Sequence, residues 1–527
     1  MPVAHQSMVS VGSMSAPFLH HEFATRLPEF SAAAIPSPPA SATPTLVKLN
    51  VPLATELGLD VDWLQSPDGL RFLLGWDQQA PSDGAHDELS QPVAQAYAGH
   101  QFGQFNPVMG DGRAILLSEV KHPATGQLFD LHVKGAGLTP LSRPGSDGKA
   151  GLGPALREYL VSEFMHAAGI PTARSLAVIT TGGHIQRRTV EPAAAVIRVA
   201  SSHVRVGSFQ LARLFLARDP ESDLLPRLAD FSIDRHYPHL AEITDATSRY
   251  KELFTHIVSA HARLTAAWMR IGFIHGVMNT DNSTIGGFTL DYGPCAFMDR
   301  FDPTTVFSSI DTNGRYAYGR QPAMAMWNLT RLAEAMLPLF GDEEAAITWA
   351  EGAVQEFAHQ YGSARYQEFG AALGIRLSPD EADDSHAIVD AFLALVNAQH
   401  PDLTQLLWAL TTTEKPTTAT LSADADDADD DRGLSTPNAP IPEAFHSWVR
   451  QWLAHNPDRE LMAATNLRYI PRNTHLEVAL DDAVQGKLTN YNDLLAAIQE
   501  PRTVRQHLEH LAVPGPDIPG FRTYCGT

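Results

Sequence analysis

The stretch 275–293, HGVMNTDNSTIGGFTLDYG, constrains this chain more than any other. Asn282 and Asp291 are oxygen donors of the kind Mg2+ prefers, a metal that takes one or two ligands from protein and completes its octahedron with phosphates and water. Asp281 directly precedes the amide, and Asp291-Tyr292-Gly293 closes the stretch. With Asp291 given to a metal, Asp281 is the acid of this loop placed to take a proton, although an Asp in a T-D-N sequence also forms turns. His275 reads as a brace for the loop rather than as a catalyst.

A chain of 527 residues exceeds what one core usually supports, so two or three structural units are expected. With 44% hydrophobic and 19% charged residues it is a globular sequence. A formal net charge of −22 argues against a general nucleic-acid binder and against an anionic membrane surface. Any polyphosphate must therefore meet a local basic pocket. Two cysteines, Cys295 and Cys525, are too few for a disulfide framework and suit a reducing compartment. The N-terminus, MPVAHQSMVSVGSMSAPF, lacks the charged and then apolar regions of a secretory signal. No run of about eighteen apolar residues is available to span a bilayer, and the cytoplasm is the expected location.

Residues 1–90 begin rich in Pro, Ala and Ser and read as an irregular wrapping segment with a few helices. From 91 to 205 strand signals dominate. Ala114 to Val120 and Leu131 to Lys134 are short apolar-rich runs, the latter with Leu131 and Val133 on one face and His132 and Lys134 on the other. A helix is predicted from Pro154 to Ala168, closed by Gly169 and Pro171, and a strand from Ala194 to Ala200. Residues 206–410 turn helical, with Tyr250 to Arg270 the clearest long helix. Residues 411–440, with a run of aspartates and almost no large apolar side chains, read as a disordered acidic linker; an acidic magnesium site is the sharper alternative. Residues 441–527 read as a helical C-terminal unit.

The 275–293 strip resembles the catalytic strip of a protein kinase that lacks its usual base. Kinases place an Asp two residues after the His of H-R-D, and a metal-binding Asn five residues after that Asp. Asn282 falls in its place, but the Asp position holds Val277, which has no proton affinity, and Asp291 stands where the D-F-G aspartate would be. Upstream, Gly110-Asp111-Gly112-Arg113 opens into a strand, which reads as a tight hairpin or as a glycine turn letting backbone N–H groups and Arg113 approach phosphates. Lys134 on the next strong strand and Glu158 in the helix after it match a phosphate-holding lysine and the glutamate that fixes it; each alone would be an ordinary surface position. Between them, Ser142 to Lys149 (SRPGSDGK) is either a plain connection or a second phosphate cradle near a helix N-terminus. Arg198 and Arg205 bracket VASSHV, where a hinge between two lobes would fall, and either neutralise phosphates or form structural salt bridges.

The segments YAGHQFGQFNPVMGDGRA, HVKGAGLTPLSRPGSDGKAGLGPALREYLVSEFMHAAGIPTARSL, VIRVASSHVRVGSFQ and GFIHGVMNTDNSTIGGFTLDYGPCAFMDRF resemble the selenoprotein O family over about residues 91 to 325. The resemblance implies an α+β, protein-kinase-like two-lobed fold with an N-terminal wrapping segment and a helical C-terminal extension. It implies a protein adenylyltransferase that binds ATP flipped relative to a kinase and moves AMP to a Ser, Thr or Tyr hydroxyl. On it, Gly110, Gly112, Arg113, Lys134, Asp147, Gly148, Arg198 and Arg205 would contact ATP and Glu158 would pair with Lys134. Asp281 would be the proton acceptor, and Asn282 with Asp291 would hold Mg2+ or Mn2+.

Departures from the family pattern are a one-residue insertion at Ser146 and Lys149 in place of an Arg. Cys525 fits the family's C-terminal Cys or selenocysteine, but 301–311 lacks the cysteine that pairs with it in some members, and Cys295 reads as a small buried residue. The expected partners are ATP and protein substrates, with no nucleic acid and no membrane, for a monomer. Rival readings are a phosphotransferase using Asp281 as a relocated base, and an inactive nucleotide-binding pseudokinase scaffold.

Overall fold

In the computed structural model the apolar alternation of residues 91–200 resolves into one antiparallel sheet. The structure describes residues 16–36, 38, 43–76, 91–187, 190–377, 384–412, 441–516 and 518–524. The predicted linker beyond residue 412, and Cys525, lie outside the described residues. The strands are β1 (Ser31–Ala33), β2 (Thr45–Leu49), β3 (Val93–Gln101), β4 (Gln104–Gly110), β5 (Ala114–Lys121), β6 (Leu128–Lys134), β7 (Ala150–Gly151), β8 (Arg174–Gln186) and β9 (Val190–Ala200). The main path runs β1-β3-β5-β6-β9-β8-β2, with β4 on β3 and β7 on β9. The N-terminal segment does more than wrap, because β1 and β2 form the two ends of this path. Each covers an edge that would otherwise expose unpaired backbone groups.

The two faces of the sheet bury different partners. Leu131 and Val133 of β6 point with Ile115, Leu117, Ile179 and Ile197 toward Leu53, Leu64, Leu70 and Leu73. Those last four come from the short helices α2 (Val51–Glu56), α3 (Val61–Leu64) and α4 (Pro67–Leu73), which follow α1 (Glu22–Arg26) in the chain. The opposite face meets α5 (Leu152–Ala167) through Val178, Ala194 and Val196, packed on Leu152, Leu156, Tyr159 and Leu160. His132 and Lys134 therefore fall on the α5 side, as the period of two requires. The helix starts two residues before the predicted Pro154, which its first turn tolerates because that N–H has no intrahelical acceptor. It ends at Ala167, and Gly169 just beyond it, at φ 81°, takes the left-handed conformation that closes helices.

The second half is helical: α6 (Val206–Arg218), α7 (Leu224–His236), α8 (Ala246–Arg270), α9 (Gln321–Met336), α10 (Glu343–Ala372), α11 (Asp384–Gln399), α12 (Leu403–Thr412), α13 (His446–Ala454), α14 (Arg459–Thr465), α15 (Asn473–Val484) and α16 (Thr489–Gln499). Asp245 caps α8, its carboxylate accepting from Ser248 N at 2.8 Å. That helix delivers the chain into β10 (Phe273–Ile274), which pairs antiparallel with β11 (Ala296–Phe297). The 275–293 strip is thus the loop between two short strands, closed at its base by that ladder. The fold class is α+β. Among the described residues no helix is long and apolar enough to cross a membrane.

The C-terminal helices do not form one separate body. Trp448, Val449 and Trp452 of α13 pack with Phe369, Phe392 and Leu406. Leu476, Leu480, Tyr491, Leu494 and Ile498 of α15 and α16 instead join the core that holds α5 and α8. Tyr491 is fully buried and donates its hydroxyl to Leu156 O at 3.0 Å. Tyr491→Ala should therefore lower unfolding stability by about 3–5 kcal/mol as a core truncation, and Tyr491→Phe by only about 0.5–1.5 kcal/mol for the lost hydrogen bond. Urea denaturation of the three proteins measures both, and equal small effects would show that α16 is not anchored through this residue.

Candidate active site

Four charged side chains from four elements converge beneath the sheet. Lys134, at the end of β6, donates to Glu158 Oε2 of α5 at 2.7 Å and pairs with Asp291 Oδ1 of the strip. Arg198 of β9 pairs with Glu158 Oε1 and reaches Asp291 Oδ1 at 3.3 Å. Each carboxylate thus meets both cations, in a closed square of two positive and two negative groups. Burial opposes ionisation of Glu158, but Arg198 and Lys134 outweigh it and hold its carboxyl below the ordinary range. The same contest at Asp291 is won by Lys134 and Arg198, and its carboxyl lies far below the usual carboxylate range. Asp291 also sits at φ 69°, a left-handed conformation that costs a non-glycine residue roughly 1–3 kcal/mol and persists where surrounding contacts impose it. Arg198 is thereby a member of the ion-pair square.

The proton-accepting candidate lies close to this square, near enough for Asp291 to act on it. Asp281 is buried on a single 3-10 turn, Thr280–Asn282. Gln101 Nε2 donates to its Oδ2 at 3.2 Å, while its Oδ1 has no hydrogen-bond partner among the described residues. Burial pushes its carboxyl up, against the opposing pull of Arg205 and Gln101. A buried carboxylate with one oxygen unsatisfied is prepared to accept a proton. Asn282 Nδ2 donates to Val277 O at 3.0 Å, which points the amide oxygen away from the loop's own backbone. The tip of the β3–β4 hairpin sits on this turn, with Thr280 Oγ1 accepting from His100 N at 2.7 Å and Asn279 Oδ1 from Phe102 N at 3.0 Å. His275 is a brace: its N donates to Gln321 Oε1 at 2.9 Å and its Nε2–H to Leu290 O at 3.2 Å.

The two glycine loops form one assembly. Thr139 Oγ1 donates to Asp111 O at 2.7 Å and Ser142 Oγ to Gly112 O, so the 139–148 loop is stitched to the Gly110–Arg113 turn. A Cβ on Gly110 would lie 2.9 Å from the backbone oxygen of Gln95, and one on Gly148, at φ 67°, would lie 2.2 Å from Gly137 C. Only glycine permits either approach. Asp147 is held by Arg187, whose Nη1 and Nη2 reach its two oxygens at 2.8 Å each. That pairing, reinforced by Lys149 N, draws its carboxyl down to about 2. Arg205 stacks over Tyr97 at 4.4 Å, lies 3.6 Å from Asp111 Oδ1, and donates to Asp281 O at 3.3 Å. Arg113 stands near enough to Asp291 to help hold its charge.

Sequence reasoning passed over three residues that this geometry makes prominent. Gln101, which orients Asp281, lies within the quoted YAGHQFGQFNP segment. Asp111, which faces Arg205 and accepts from His132 Nε2 at 2.9 Å, lies within the glycine turn itself. Arg187 gave no signal, because its partnership with Asp147 is made across space from the far end of β8.

A glycine-lined double loop, a lysine–glutamate pair and an acid, amide and acid on one loop define a nucleotide-dependent group-transfer enzyme. The model of the family described as protein adenylyltransferase SelO matches residues 21–499, and the chain belongs to that family. It is similar to the protein nucleotidyltransferase YdiU of Mycolicibacterium smegmatis, with 47% identity over 521 residues, 98% of this chain and 100% of the relative. Those of Mycolicibacterium paratuberculosis (48% over 487 residues, 92% and 93%) and Corynebacterium efficiens (45% over 521 residues, 97% of each) are similar to the same degree. The protein is a nucleotidyltransferase.

Glu158→Gln removes one corner of the square and leaves two buried cations sharing a single carboxylate. Loss of one partner from a buried ion pair costs roughly 3–5 kcal/mol, and a thermal or urea melt of the variant should fall by that amount. An unchanged melt would show that the square does not hold the two halves of the site together.

Proposed function

We propose that this enzyme transfers AMP from ATP to Ser, Thr or Tyr hydroxyls of proteins, in a protein-kinase-like cleft with the nucleotide reversed relative to a kinase. The observation that carries the reading is the placement of Asp281. It is a buried acid with one oxygen unpartnered among the described residues, beside the charge square rather than in the position that Val277 occupies. An antiparallel strand-rich half holding the lysine and a helical half holding the acid, with the site between, support the kinase-like description.

The double glycine loop supports the reversed nucleotide. The Gly110–Arg113 turn and the 139–148 loop, fastened to each other, offer backbone N–H groups together with Arg113 to the outer phosphates. Asp147 and Gly148 serve this grip through Arg187, which fixes the loop's far end. Lys134, held by Glu158, takes a phosphate oxygen, and Arg205 places positive charge beside the Asp281 turn. With the outer phosphates drawn there, the α-phosphate faces Asp281.

The reaction is a displacement at phosphorus. The acceptor oxygen forms a bond to the α-phosphorus, the bond from that phosphorus to the bridging oxygen of the β-phosphate breaks, and pyrophosphate leaves. The hydroxyl proton goes to Asp281, for which burial has already raised proton affinity. Asn282 and Asp291 fit Mg2+ or Mn2+, hard ions that need few protein oxygens when phosphates supply the rest; the described residues contain no cluster of three or more His, Cys, Asp or Glu that would cage a metal without a nucleotide. When bound, the ion neutralises charge developing on the phosphates.

The site is thus read as acting in the cytoplasm on protein acceptors, as a monomer. Incubation with ATP labelled at the α-phosphate should leave label on protein, whereas γ-label should leave with pyrophosphate. Asp281→Asn should lower the rate about 100- to 10,000-fold, the usual contribution of a positioned base, with little change in ATP binding measured by calorimetry. Retention of γ-label alone would establish phosphotransfer instead.

A further inference from the structure

A cavity of about 540 Å3 opens beside the Asp281 turn, within the size range of ligand-binding clefts. Phe102, Ile310 and Met324 give it an apolar lining, and Arg315 and Arg320 a basic one. Its wall is continuous with the site. Phe102 follows Gln101, the residue that holds Asp281, and its N–H is tied to Asn279 Oδ1 at 3.0 Å. Tyr316, next to Arg315, donates to that same Asn279 oxygen at 2.7 Å. Phe102 is kept at φ 51° and remains 36% exposed, so the contacts hold an apolar ring outward at the expense of backbone strain.

The charge of this cavity is unlike that of the chain, whose formal net charge is −22. Most buried arginines here meet carboxylates, yet among the described residues neither Arg315 nor Arg320 has one within ion-pair distance. Arg315 is stacked over Trp327 at 4.7 Å and over Tyr316 at 5.7 Å, and its Nε is buried with no hydrogen-bond partner among the described residues. Arg320 is exposed, and among the described residues its guanidinium donates to Gly314 O alone, at 3.2 Å. The one acid of the lining, Asp311, is buried and already accepts from Arg315 N at 2.8 Å and Tyr316 N at 2.7 Å. A guanidinium pre-oriented by stacking loses little side-chain freedom when it binds a carboxylate.

We propose that this cavity docks the segment of the acceptor protein that carries the modified hydroxyl, and that it selects segments with a Glu or Asp and an apolar residue close to that hydroxyl. The inference rests on the reading of the site as an adenylyltransferase acting on proteins. An acidic chain repels acidic partners at most of its surface, and this cavity supplies the local exception.

The test uses the full-length enzyme, ATP labelled at the α-phosphate, and synthetic peptides with one serine flanked by Leu and either Glu or Lys. The Glu peptide should show a KM about tenfold below that of the Lys peptide, the change expected of one partly desolvated charge pair. Arg320→Glu, at an exposed position where packing is not at stake, should erase or reverse that preference and favour the Lys peptide. Arg315→Gln should weaken it, and both variants should keep the wild-type KM for ATP. Equal KM values for the two peptides, or a preference untouched by both variants, would overturn the docking inference alone. Failure of the wild-type enzyme to label any peptide or protein from the α-position would overturn the underlying reading with it.

Discussion

Glu158 cannot be buried alone, and that constraint organises the site. Its carboxylate is satisfied by Lys134 from β6 and Arg198 from β9, and the same two cations satisfy Asp291 from the loop between β10 and β11. An uncompensated charge in this interior would cost several kcal/mol, so helix, sheet and loop settle into the one arrangement that closes the square. The left-handed backbone at Asp291 accompanies this closure. Precision at the reacting centre therefore comes from electrostatic closure between elements, more than from any single rigid element.

Asp281 depends on a second, independent set of contacts. The β3–β4 hairpin reaches over the Thr280–Asn282 turn and fastens it through His100, Gln101 and Phe102, while Gln210 of α6 accepts from Thr280 Oγ1 at 2.8 Å. Gln101 also accepts from Arg143 Nη2 of the glycine loop at 2.9 Å, so that loop and Asp281 share one amide. The 139–148 loop and the Asp281 turn are in this way mechanically joined, which suits the proposed reaction, in which a phosphate grip and a proton acceptor must be positioned at once.

The parts of this arrangement legible in the sequence were those written in short range. The period of two at Leu131 to Lys134 placed Lys134 on the α5 side, and Gly169 with Pro171 marked the end of the helix that carries Glu158. The spacing within 275–293 singles out Asp281, Asn282 and Asp291. Pairings made across space were hidden. Arg198 carried two open readings because its partners, Glu158 and Asp291, lie far from it in sequence. The strands Ser31–Ala33 and Thr45–Leu49 were invisible because edge strands of three and five residues carry almost no periodicity, and only the unpaired sheet edges call them into place. Nothing in the sequence marks Arg187, because the end of β8 brings it to Asp147 only across space.

Membership of the adenylyltransferase family and the position of Asp281 converge on one chemical claim, that the group moved is a nucleotide's adenylate and not its terminal phosphate. Mass spectrometry of an acceptor protein after incubation with enzyme, ATP and Mg2+ tests this most directly. A mass increase of one adenylate on a Ser, Thr or Tyr, absent when Asp281→Asn enzyme is used, is the predicted result. An increase of a single phosphate on the same residues would contradict the account.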